Sequence, residues 1–202
     1  MVSEISYAER RRGRRYYKYI KALLSFACAN AESIIDVGSN GVDLLSVCPC
    51  KYKVSLDVEN PLVKDGVISI REDFLDWKPT RQLFDVVTCF QVLEHIDDDK
   101  IMAFVGKLKK LGKVLMVSVP YRWPHGKCED HVQDPIDIDK LEKWFGQRPV
   151  FANVVVDDSA ARLIAIYVNA ELTSLVESSN NGNFVDFFRF DYEYEANCAE
   201  RT

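Results

Sequence analysis

Apolar positions follow two different periods along the chain, and the changes of period mark the elements. Tyr16, Tyr17, Ile20, Leu23, Leu24 and Ala27 recur at helical spacing among basic residues, which predicts an amphipathic N-terminal helix within residues 1–30. Short apolar runs then predict strands over 33–37, 52–58, 66–70, 83–90 and 113–119. Between them, helices are predicted over 41–47, 97–111 and 137–145, the second stopped by Gly112. Two last strands, 150–156 and 162–168, are separated only by the turn-like Asp157-Asp158-Ser159.

Strands that alternate with helices and are apolar almost throughout belong to a parallel sheet covered on both faces. The last two lack an intervening helix and are expected to pair antiparallel at one edge. The predicted fold class is therefore α/β, with a seven-stranded, mostly parallel sheet, helices on both faces and a C-terminal antiparallel hairpin. One domain is expected over 1–170. Residues 171–202 read as an acidic tail, with a polar stretch from Ser178 to Asn183 followed by six aromatic residues from Phe184 to Tyr194.

Composition narrows the class. With 202 residues and 48% hydrophobic content the chain can fill one core. Its net charge of −5 makes nucleic acid an unfavoured partner, although Arg10, Arg11, Arg12, Arg14 and Arg15 crowd the N-terminus. That cluster reads first as a solvated helix face, with RNA or a phosphorylated substrate as the alternative. No run of 18 apolar residues suggests a membrane span. The six cysteines form no Cys-x-x-Cys motif, so reduced thiols and a cytoplasmic setting are expected.

Four stretches carry candidate chemistry. The first strand ends in Asp36-Val37-Gly38-Ser39-Asn40-Gly41, where glycine lets a ligand approach the backbone closely and Asp36 can accept from an ammonium group. Asp57 ends the second strand, 21 residues later, where an acid can accept from ribose hydroxyls; Glu59 competes for that role. Asp73, beside Phe74, suits an adenine amino group or, equally, a turn aspartate. The fourth strand runs through Phe90 and Gln91 into the charged pair Glu94-His95, at a carboxyl end where open α/β sheets bind ligands.

In order and spacing these four stretches resemble the small Rossmann-like, seven-strand S-adenosylmethionine-dependent methyltransferases, over about residues 30–120. The resemblance implies S-adenosyl-L-methionine as cofactor. It places Asp36, Gly38, Ser39, Asn40 and Gly41 around the methionine and ribose, Asp57 on the ribose, Asp73 and Phe74 at the adenine, and Gln91 near the methyl sulfur. The family's glycine-rich turn usually has a glycine where this chain has Asn40, a residue that tolerates left-handed backbone angles.

Methyl transfer from a sulfonium needs the acceptor held in line and, for an oxygen or nitrogen acceptor, relieved of a proton. His131 is the first choice for that base, on the long loop from Pro120 to Pro135 that follows the fifth strand. Tyr121 and Arg122 are expected substrate contacts. His95 is either a second base or a loop-orienting hydrogen bonder. His125, Cys128 and His131 are spaced poorly for a shared ligand set among prolines and glycine, so no metal is expected. The expected function is methylation of an oxygen or nitrogen on a small polar metabolite, such as a sugar. The alternatives are an inactive methyltransferase-like scaffold and a nicotinamide-dependent oxidoreductase. The last of these requires a fuller glycine fingerprint and a further parallel strand.

Overall fold

The computed structural model describes residues 13–80, 83–157 and 160–169. The arginines at 10–12 and the tail 171–202 lie outside the described residues. Seven strands form one sheet: β1 (Ser33–Val37), β2 (Tyr52–Asp57), β3 (Ile68–Arg71), β4 (Phe84–Phe90), β5 (Gly112–Pro120), β6 (Phe151–Asp157) and β7 (Ala160–Val168). Three α-helices accompany them: α1 (Arg15–Ala27), α2 (Ile101–Leu111) and α3 (Ile138–Phe145). None is long and apolar enough to cross a membrane.

The spatial order is β3-β2-β1-β4-β5-β7-β6, parallel from β3 through β5, with β7 antiparallel to both neighbours. The hairpin expected from the sequence is present, and it inserts the reversed β7 beside β5. A dinucleotide fold would place another parallel strand there. That difference removes the layout an oxidoreductase would need.

Strand register explains why the apolar runs are continuous. Ile34, Val86, Val114, Met116, Ile164 and Ile166 face the side covered by α1. Their chain neighbours Ile35, Val87, Leu115, Val117, Ala165 and Tyr167 face the side covered by α2 and α3. Side chains alternate between faces with period two, so a strand covered twice must be apolar at every position.

Two expectations need correction. Residues 41–47 form no α-helix, only a 3₁₀ turn at Leu45–Val47. Asn40 and Gly41 take left-handed angles (φ 42° and 67°) at what would be its start. The Asp43 carboxylate takes the backbone N–H and the hydroxyl of Ser46, a local turn that competes with helical bonding. Pro49 then holds Cys48 extended, which ends the turn. Second, α2 begins at Ile101 rather than at 97, because Asp97–Lys100 forms a lead-in turn in which the Asp97 carbonyl accepts from the Lys100 and Ile101 amides. The five cysteines among the described residues carry free thiols.

Helix α1 is capped from far away in sequence. Its own N-cap, Arg14, gives no side-chain bond. Instead Asp157, at the end of β6, accepts from the backbone N–H of Arg15 at 2.8 Å and of Tyr16 at 2.6 Å. A carboxylate there also suits the positive end of the helix dipole. Asp157→Ala should cost about 1–2 kcal/mol of stability, read as a lower denaturation midpoint in urea with an unchanged slope.

Candidate functional site

The strand order reverses between β1 and β4, so the loops leaving their carboxyl ends diverge and open a crevice. A cleft of about 420 Å³ occupies this place, a size typical of small-molecule sites. Its walls include Asp36, Gly38, Ser39 and Asn40 after β1, Asp57 after β2, Asp73 and Phe74 after β3, and Gln91 and His95 after β4.

Asp36 lies at the bottom and is 2% exposed. It pairs in register with Thr88, whose hydroxyl donates to its carboxylate at 2.6 Å. Burial pushes the Asp36 carboxyl up to about 7; the Thr88 bond opposes the rise and the charge of Asp57 adds to it. A carboxylate so placed gains most from a cationic ligand group.

The turn above it is tightly fitted. Gly38 has φ 78° and donates its N–H to the Leu56 carbonyl at 2.8 Å. A β-carbon there would stand 2.3 Å from Cγ2 of Val92. Asn40 keeps the left-handed angle that glycine usually supplies, so its presence leaves the turn intact. Gly41 does not line the cleft; a β-carbon on it would approach the Asn60 amide nitrogen to 2.8 Å.

Asp57 organises the next loop. One carboxylate oxygen accepts from the Asn40 N–H at 2.8 Å, the other from the Glu59 and Asn60 N–H groups at 2.9 Å. It therefore ties the β1 and β2 loops together and keeps one acceptor direction on Oδ2 for a ligand. Asp73 caps its own turn by accepting from the Leu75 N–H at 2.7 Å. Phe74 packs on Phe104, ring centroids 4.7 Å apart, and forms the cleft floor rather than an exposed stacking surface.

Several contributors carried no assignment from the sequence, among them Val58, Tyr17 and Arg162. Val58, 61% exposed, lines the cleft directly after Asp57. Its signal was an apolar residue following a strand-ending acid in a polar loop. Tyr17 of α1 adds a further wall. Arg162 of β7 donates from Nε to the Gln91 side-chain oxygen at 3.0 Å, and Gln91 reaches Ser118 in turn through its side-chain N–H at 3.3 Å. Gln91, itself at φ 59°, is thereby locked at the cleft edge.

On the remaining wall, His95 stands edge-on to His131, ring centroids 4.9 Å apart. His131 is buried behind it, stacked on Trp123, and its Nδ1 pairs with the buried Asp134 at 2.7 Å. Nδ1 of His95 meets the Asp130 carbonyl at 2.9 Å, which makes that nitrogen the protonated one. Burial lowers the His95 pKa; the Asp130 carbonyl works against this. Tyr121 packs against the core on the α2–α3 side and does not line the cleft. Arg122 points to Asp137 at 3.6 Å. His125 is exposed on its loop.

No known family profile matches the sequence, and no curated protein does. Solved structures do match in shape. The small RNA methyltransferase HEN1 superposes with a TM-score of 0.59 at 17% identity, over 77% of this chain and 25% of that one. The 1,6-didemethyltoxoflavin-N1-methyltransferase of Burkholderia thailandensis, solved with bound 1,6-didemethyltoxoflavin and S-adenosylhomocysteine, gives 0.57 at 11% identity over 75% and 77%. The N-terminal domain of EvdMO1, solved with S-adenosylhomocysteine and D-fucose, gives 0.51 at 14% over 75% and 82%. The fold is that of the Rossmann-like methyltransferases. In this chain the connections from β2 to β3 and from β3 to β4 carry no α-helix among the described residues. The loops lining the cleft are held by side chains: Asp57 ties the β1 and β2 loops, Ser55 and Ser39 accept from the Leu62 N–H, and Lys107 donates to the Phe74, Leu75 and Trp77 carbonyls.

Proposed function

We propose that the chain binds S-adenosylmethionine and transfers its methyl group to an oxygen or nitrogen of a small polar molecule, with a sugar as the leading candidate. The observation that carries this reading is the convergence of three acids from three neighbouring strand ends, Asp36, Asp57 and Asp73, on one cleft beside the Gly38 turn. In this reading Asp36 receives the ammonium of the methionine moiety. Asp57 and Glu59 share the ribose hydroxyls, Val58 packs on the adenine ring and Asp73 accepts from its amino group. Gln91, held by Arg162 and Ser118, borders the sulfur.

His95 and His131 then belong to the acceptor side, where His131 is the proposed base, oriented by Asp134. Two of the similar structures were solved with small molecules, toxoflavin precursor and D-fucose, which supports a small acceptor. HEN1 is a small RNA methyltransferase, but this chain's negative charge disfavours a polynucleotide.

Calorimetry with S-adenosylhomocysteine tests the reading: saturable binding supports it, and no binding refutes it. Asp57→Ala should weaken that binding by about 1–3 kcal/mol and also lower the melting temperature, because three backbone N–H groups lose their acceptor. Unchanged affinity in that variant would remove Asp57 from the ribose site.

A further inference from the structure

The geometry points to a divalent-cation site formed by Glu94, His95 and His131. The three residues offer ligand atoms that all lie within 4.8 Å of one another. They come from two loops, the 3₁₀ turn Leu93–His95 after β4 and the β5–α3 loop, which are pinned together at this point. The Glu94 carbonyl accepts from the Val132 and Gln133 N–H groups, and the Gln133 side chain donates to Ile96 and Asp98 across the same junction.

The outer contacts are those a metal-binding histidine needs. Ligating imidazoles give their second N–H to a carboxylate or carbonyl, which fixes the tautomer and turns the other nitrogen toward the ion. Here both do so: His95 gives Nδ1–H to the Asp130 carbonyl, and His131 gives Nδ1–H to Asp134. Nε2 of each ring is the nitrogen left to face an ion. The charge balance leads the same way. Glu94 is 1% exposed, and Asp134 is 6% exposed with His131 as its one ion-pair partner among the described residues. Both carboxylates are acceptors placed beside the two rings, a setting that favours a cation.

Two imidazole nitrogens and one carboxylate suit a first-row divalent ion and leave coordination positions open. Ligand atoms around such an ion stand roughly 3.3 Å apart, as bond lengths near 2 Å require. The present span of up to 4.8 Å is wider than that, so the side chains must draw in on the ion. His95 is both a member of the cluster and part of the cleft wall, which gives the ion an entry path and faces its open positions toward the acceptor.

The role of the ion rests on the methyltransferase reading; its binding does not. An acceptor hydroxyl held in the open position would lose its proton to solvent more readily, because the cation stabilises the resulting oxyanion. The oxygen electron pair then forms the bond to the methyl carbon as the carbon–sulfur bond breaks. That bond's electrons stay on sulfur, which leaves as the neutral thioether of S-adenosylhomocysteine. His131 would then serve as a ligand instead of a free base.

The test uses cobalt(II) chloride on the full chain stripped with chelator, followed by its visible d–d absorption and by calorimetry. One equivalent should bind. The exposed His95→Asn should weaken it by more than about tenfold, and Asp134→Asn, which removes the carboxylate that orients His131, by about tenfold. His125→Asn, on the same loop but outside the cluster, should leave it unchanged. Absence of binding, or binding unaffected by His95→Asn in a variant that melts like the parent, overturns the site. Parallel calorimetry with S-adenosylhomocysteine separates the two readings. Thioether binding without cobalt binding removes the ion alone, and cobalt binding without thioether binding removes the methyltransferase reading alone.

Discussion

Asp36→Asn is expected to make the ligand-free protein more stable at pH 8 while costing most of its affinity for S-adenosylhomocysteine. The two effects share one cause. Burial lifts the Asp36 carboxyl to about 7, so its ionised form is disfavoured in the folded state. In the unfolded chain the group ionises near 4. Between those values the folded state holds a proton that the unfolded state has released, so stability falls as pH rises through this window and the loss is complete above it. A neutral asparagine avoids that loss, and a gain of about 1–3 kcal/mol at pH 8 is expected in thermal or urea unfolding.

Ligand binding runs the other way. An ammonium group is held best by the ionised carboxylate, so affinity in the parent protein should rise with pH toward 7 and level off above about 8. Asparagine removes the charge-assisted bond, at about 1.5–3 kcal/mol or roughly ten- to hundredfold in Kd, and flattens the pH dependence. Calorimetry from pH 5.5 to 8.5 on both proteins reads this directly. A variant that binds as tightly as the parent, with the same pH profile, would take Asp36 out of the ligand site.

Gly38→Ala should be severely damaging. The residue sits at φ 78°, where a β-carbon is strained, and that carbon would lie 2.3 Å from Cγ2 of Val92. The clash is between two loops that carry opposite walls of the cleft, so relieving it pushes the walls apart. The strain and the overpacking together should cost about 2–5 kcal/mol, with loss of ligand binding. Val92→Ala on the Gly38→Ala background should restore part of the stability, leaving the cost of the backbone angle. If the double variant is no more stable than Gly38→Ala alone, the contact with Val92 is not the cause.

The sequence made the sheet legible because burial on both faces leaves an unmistakable mark. Runs such as Val114-Leu115-Met116-Val117 cannot alternate with polar residues when both neighbours are packed layers. Asp57 was legible for a related reason: it closes an apolar strand, while Asp36 lies one residue inside the end of β1 and Asp73 two residues beyond β3. Residues 41–47 misled because their apolar spacing is helical while Asp43 and the left-handed pair before it decide the backbone. Long-range side-chain pairs left no local trace. His95 and His131 are separated by α2, β5 and part of the loop after it, and only the folded chain brings their rings together. The same holds for Arg162 on Gln91, 71 positions apart.

The cap that Asp157 places on α1 links the ends of the domain in time as well as in space. On the ribosome, the first helix emerges with bare terminal amides and waits for a carboxylate made 141 positions later. Because Tyr17 of that helix forms one wall of the crevice, a nascent chain that has not yet delivered its last hairpin has no finished cavity to offer. Ligand capture in this fold is thereby expected only once the β6–β7 hairpin has been made.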